Sequence, residues 1–122
     1  MVRRAMKIED ELVQRYKKWL AGKYRTLVVA RYGRLRCDAY DTERCNLIEA
    51  KASTKREYIR MAVGQLLDYA YLGREEFGTP HMAILVPTRP NPNSLHWLSE
   101  LNISVIWVKA RGFVDNAGGQ FT

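Results

Sequence analysis

The sequence predicts a single mixed α/β domain, and three observations carry that prediction. β-branched, strand-like stretches alternate with segments of helical apolar spacing along the 122 residues. The length suits one compact domain with a single core. No repeat, low-complexity tract or linker-like stretch divides it. The predicted order is α-β-β-β-α-β-α-β, an α+β arrangement in which helices cover the faces of a mixed sheet. Residues 1–122 read as one domain, standing alone or as a fragment of a larger protein. About 7–108 form the core and 109–122 a C-terminal tail.

Each element has a local reason. In residues 7–21, Ile8, Leu12, Val13, Tyr16, Trp19 and Leu20 recur at helical spacing, and Gly22 is a stop. Residues 26–32 (TLVVARY) are strand-like, and Gly33-Arg34 makes a turn. Residues 35–41 alternate Leu35, Cys37 and Ala39 against Arg36, Asp38 and Tyr40. Residues 46–52 alternate Leu47, Glu49 and Lys51 against Ile48, Ala50 and Ala52, with 42–45 as a hairpin loop. Ser53 or Thr54 caps a long helix to about Phe77, striped by Ile59, Ala62, Val63, Leu66, Leu67 and Ala70. Residues 82–87 (MAILVP) suit a buried strand, and 88–93 form a proline-bearing loop. Residues 94–101 form a short helix capped by Asn93 or Ser94, 104–108 (SVIWV) a last strand, and the tail from Gly112 is frayed.

Composition narrows the partners. No apolar run approaches the roughly 18 to 20 residues of a membrane span. The basic N-terminus leads into an amphipathic segment and is not a signal peptide, so Cys37 and Cys45 are expected to be reduced thiols in a cytoplasmic protein. The net charge is +7, and residues 1–60 hold 16 of the 20 basic and 8 of the 13 acidic residues, net +8. A basic half with embedded carboxylates suits a polyanion, although a merely solvated basic surface accounts for the charge alone equally well.

Residues 35–69 carry the chemistry. Acids are depleted in strands and seldom buried unless paired or bound to metal. If Asp41 pairs with Asn46, the antiparallel register sets Asp38 opposite Glu49, about 5 Å apart at Cβ. Glu49 and Lys51 share a face because the strand period is two. Two carboxylates on adjoining strands offer hard oxygen ligands for Mg²⁺ or Mn²⁺, and Lys51 would reach the same site to orient or help deprotonate an attacking water. A metal and a lysine together stabilise the extra negative charge of phosphodiester hydrolysis. Taken singly, Asp38 is an exposed strand residue, Glu49 and Lys51 a surface ion pair, and Gln65 and Tyr69 helix neighbours. Glu9 in that isolated view only complements a helix dipole.

Together, Asp38, Glu49-Ala50-Lys51, Gln65 and Tyr69 resemble the PD-(D/E)XK nuclease superfamily. The QxxxY spacing on the second helix is similar to the RecB-type and lambda-exonuclease-type branch, and the resemblance spans about residues 7–108. Cys37 stands where the family motif has its proline. The resemblance implies a restriction endonuclease-like core. It implies a metal held by Asp38, Glu49, the Ala50 carbonyl and a first-helix glutamate, Glu9 or the competing Glu11. Lys51 would position the nucleophile, and Gln65 and Tyr69 would shape the site and touch phosphate. Arg36, Lys55, Arg56 and Arg60 are candidate backbone contacts.

The expected function is a Mg²⁺- or Mn²⁺-dependent nuclease acting on DNA, with RNA open, of restriction, repair or phage-defence type and more plausibly an endonuclease. Specificity would come from a homodimer, a partner subunit or a fused domain. The alternative is a catalytically silent nuclease-like module for nucleic-acid binding or assembly.

Overall fold

The computed structural model describes the backbone of residues 2–32 and 35–122 and the side chains of residues 3–28 and 39–122. Helix α1 (Val2–Ala21) buries Leu12, Tyr16 and Leu20, which recur every four residues on one face. Strands β1 (Leu27–Tyr32), β2 (Leu35–Asp41) and β3 (Asn46–Ala50) follow as an antiparallel meander. Helix α2 (Arg56–Leu72), the short α3 (Arg74–Phe77), β4 (His81–Val86), α4 (Pro92–Glu100), β5 (Ile103–Lys109) and β6 (Gly112–Asp115) complete the chain. The six strands lie in sequence order, with β4 parallel to both β3 and β5 and β6 antiparallel to β5.

Period-two alternation divides the core between the two faces of this sheet. Leu47, Ile84, Val86 and Val105 meet α2, α3 and α4, with Ile59, Leu66, Phe77 and Leu98 against them. Ile48, Ala50, Ala83, Leu85 and Ile106 meet α1 through Leu12, Tyr16 and Leu20. The α2 and α4 crossovers both step along the sheet in the same direction. Right-handed connections of that kind put both helices on one face. As a central strand covered on both sides, β3 is buried at every position.

The hairpin register is the expected one: Asp41 pairs with Asn46, Tyr40 with Leu47 and Ala39 with Ile48. Cys45 closes the turn in the left-handed region, φ 57°. Other boundaries differ from expectation. The first helix starts at Val2 rather than residue 7, because no breaker precedes Ile8 and Ala5, Met6 and Ile8 line a shared cleft. The third strand ends at Ala50, not Ala52, yet the Lys51 N–H still donates to the Leu85 carbonyl at 2.9 Å.

The long helix is broken at Gly73, whose N–H caps Tyr69 while its carbonyl starts α3. The apolar stripe runs on to the buried Phe77, which is why periodicity alone read one helix. Neither Ser53 nor Thr54 is the N-cap of α2; Lys55 occupies that position, and the Ser53 hydroxyl accepts its N–H. In α4 the cap is Asn91, accepting the Ser94 N–H at 2.8 Å, with Pro92 at the first turn, where its missing N–H costs nothing.

The largest correction concerns the C-terminus. In place of a frayed tail, Gly112–Asp115 adds a sixth strand, and Phe113 and Phe121 join the α1-side core. A side chain at Gly112 would lie 3.0 Å from the Trp19 indole nitrogen, so the close approach of α1 requires glycine there. Burial disfavours ionised Asp115, but donors from Gly119, Thr122, Ala117 and Phe121 outweigh it and hold its pKa below the usual carboxyl value. The Tyr16 hydroxyl donates to the Phe121 carbonyl at 2.7 Å, fastening the terminus to α1.

Candidate functional site

Strand β3 delivers Glu49 and, just past its end, Lys51. Both side chains belong to the face that carries Leu47, toward α2. They are 3% and 4% exposed, and Lys51 Nζ lies 3.7 Å from Glu49 Oε2. Acids and lysines this enclosed are rare, since each charge loses its hydration and needs a counter-charge or ligand. The expected exposed ion pair is therefore a buried one.

Glu9 arrives from α1. Its Oε2 accepts the Ala52 N–H at 3.1 Å, tying the helix to the chain just beyond β3. Glu9 is half-buried, whereas Glu11 faces solvent. Only Glu9 of the two lines a cleft of about 960 Å³ between the first turns of α1 and α2. Lys51, Ala52 and Ser53 line the same cleft, and Met6, Ile8, Tyr58 and Met61 supply apolar walls. Arg4 and Glu57 add opposite charges to its lining. Glu49 does not line the cleft itself; it pairs with Lys51, which does.

The other expected residues are distributed more widely. The side chains of Asp38 and Arg36 lie outside the described residues. The backbone of β2 runs through both positions, and the described pairing ends at Ala39–Ile48, one step from Asp38. Gln65 is half-buried on α2, and its Oε1 is enclosed with no hydrogen-bond partner among the described residues. An enclosed amide oxygen in that state costs about 1–3 kcal/mol. Tyr69 is 5% exposed in the apolar cluster with Leu47 and Phe77, and does not line the cleft.

Among the cations, Lys55 and Arg60 are exposed. Arg56 is engaged: it donates to Asn93 Oδ1 at 3.0 Å and Ser94 Oγ at 3.3 Å and lies 4.4 Å from the Trp97 ring centroid. Its partners come from α4, so the basic helix start alone gave no sign of them.

A Mg²⁺ or Mn²⁺ ion usually binds through one or two carboxylates and keeps several waters. Glu49, Glu9 and the Ala50 carbonyl are donors of that hard-oxygen kind. Among the described residues no group of three or more His, Cys, Asp or Glu gathers to hold an ion. The donor set therefore fits in kind as two carboxylates and a carbonyl, with Asp38 the third acid implied by the resemblance.

A second buried charge pair was not foreseen. Asp41 is fully buried and accepts from both Nε (2.9 Å) and Nη2 of Arg25, while its other oxygen accepts the N–H groups of Glu43 and Arg44. The sequence carried a signal for it: Asp41 shares its strand face with Ala39, which lies in the α1-side core.

No protein-family model, curated protein or solved structure matches the chain. Among the described residues no helix is long and apolar enough to cross a membrane.

Proposed function

We propose that this domain is a metal-dependent nuclease of the PD-(D/E)XK kind that hydrolyses phosphodiester bonds in DNA, as an endonuclease of restriction, repair or phage-defence type. The observation that carries the reading is the buried Glu49–Lys51 pair at the end of a central strand, with Lys51 and Glu9 lining one cleft. The arrangement supports it further. A helix, an antiparallel meander β1-β2-β3 and a crossover helix leading to a parallel β4 agree with the restriction endonuclease-like core. The register Asp41–Asn46, counted on past Ala39–Ile48, brings Asp38 opposite Glu49.

Glu49, Asp38, the Ala50 carbonyl and Glu9 would hold Mg²⁺ or Mn²⁺, which would supply positive charge to a phosphoryl oxygen and acidify a bound water. The chain's own part centres on Lys51. Its buried stem and the facing Glu49 carboxylate fix the ammonium at the cleft wall, where it orients the attacking water and offsets the charge that develops on phosphorus. The Glu9–Ala52 hydrogen bond keeps α1 against that wall. Gln65 would turn its enclosed amide toward the site. Arg4 at the cleft and Lys55 at the head of α2 are the cations best situated to meet phosphate, a contact that positions the strand without reading its sequence.

The Glu49–Lys51 contact itself favours a second reading, in which the pair is structural and the domain only binds nucleic acid. Incubation with supercoiled and linear DNA separates the two. Cleavage with Mg²⁺ or Mn²⁺ that is absent in EDTA and absent in Glu49→Gln is the expected result. Binding with no cleavage under any divalent metal would leave the silent module, and failure to bind DNA or RNA at low salt would remove both.

A further inference from the structure

We propose that the outer face of α2 is the contact surface of a symmetric dimer, on which a second copy of this chain docks antiparallel, centred on Gly64. Helix α2 buries one stripe in the core, so its opposite stripe should be polar. Instead Met61, Leu67, Tyr71 and Leu72 stand there 58%, 46%, 63% and 41% exposed. Large exposed apolar groups in one row mark an interaction surface.

Gly64 lies in the middle of this row. Glycine inside a helix costs roughly 1 kcal/mol relative to alanine. Nothing inside the chain requires it, since a Cβ at Gly64 would meet no atom within 4 Å. A partner backbone passing close over that point does give a reason.

The charges select the partner and its direction. In an antiparallel pair with its two-fold axis at Gly64, residues equally far from Gly64 along the helix face each other. Arg60 then meets Asp68 of the second copy, and Met61 meets Leu67. Glu57 meets Tyr71, whose ring carries the Arg74 guanidinium at 4.3 Å. Opposite charges oppose twice on each side, and apolar groups face apolar groups. A parallel pair would set Arg60 on Arg60 and Asp68 on Asp68, so the surface complements itself in one orientation only. Glu57 and Met61 also line the cleft, which brings the second copy to its edge.

Sedimentation velocity of the purified chain, run up to high micromolar concentration, tests this independently of any nuclease activity. The expected species has twice the 14.2 kDa chain mass. Arg60→Asp or Asp68→Arg, each placing like charges across the axis, should weaken association at least tenfold. The doubly reversed Arg60→Asp/Asp68→Arg protein should re-associate. Gly64→Trp should stay folded by circular dichroism and be monomeric. A monomer at every concentration, a dimer indifferent to the single reversals, or a double reversal that stays monomeric would each overturn the proposal.

Discussion

Lys51→Met is expected to slow metal-dependent DNA cleavage by on the order of 10²- to 10³-fold, the usual loss when one preorganised charge is removed from a hydrolytic site. The substitution keeps the length and apolar stem of the side chain and deletes only the ammonium. It also leaves the Glu49 carboxylate, 3% exposed, facing a thioether. Removing one member of a buried pair costs about 3–5 kcal/mol, so part of any activity loss would come from the fold. The double variant Glu49→Gln/Lys51→Met separates the two effects. With both charges gone, its melting temperature should return toward that of the parent protein while cleavage stays absent. A folded Lys51→Met protein that cleaves at the parent rate would remove Lys51 from the mechanism.

Asp41→Ala is expected to be the most damaging single substitution outside the cleft. It strips Arg25, 6% exposed, of its carboxylate and leaves the Glu43 and Arg44 N–H groups of the β2–β3 turn without their acceptor. The same pair lies near the Tyr16 phenol, whose pKa burial pushes well above its usual value, so the damage falls where α1, the hairpin and the C-terminus meet. A cost of about 3–5 kcal/mol is a large share of a typical 5–15 kcal/mol stability. The melting temperature should fall by on the order of 10–20 °C. Replacing both partners, Arg25→Met with Asp41→Leu, should recover much of that loss, because no buried charge is then left unpaired. A change of only a degree or two in Asp41→Ala would mean that water replaces the carboxylate and that the pair contributes little.

Much of this architecture is readable locally. Alternation from Leu35 to Asp41 and from Asn46 onward marks two strands, and a four-residue turn between them fixes the register. The same alternation puts Glu49 and Lys51 on one face, and the distance of Glu9 from Leu12 puts Glu9 near the buried side of α1. What stayed hidden depends on contacts between distant segments. Phe113 and Phe121 flank a glycine-bearing turn with no periodicity, so nothing local marks them as core; Trp19 and Tyr16 make them so. The cleft walls Met6 and Met61 come from different helices. Arg56 looked like a free cation because Asn93, Ser94 and Trp97 lie far along the chain. Tyr69 read as a site residue from its spacing to Gln65, yet its neighbours Leu47 and Phe77 enclose it in the core.

The central claim is that Glu49 belongs to a metal site served by Lys51, and locating Mn²⁺ by anomalous scattering in crystals of the unmodified protein tests it most directly. The account predicts one Mn²⁺ peak ligated by Glu49 together with Asp38 and the Ala50 carbonyl, with Lys51 beside it. A Mn²⁺ peak elsewhere, with the Glu49–Lys51 pair intact and free of metal at saturating Mn²⁺, would contradict it.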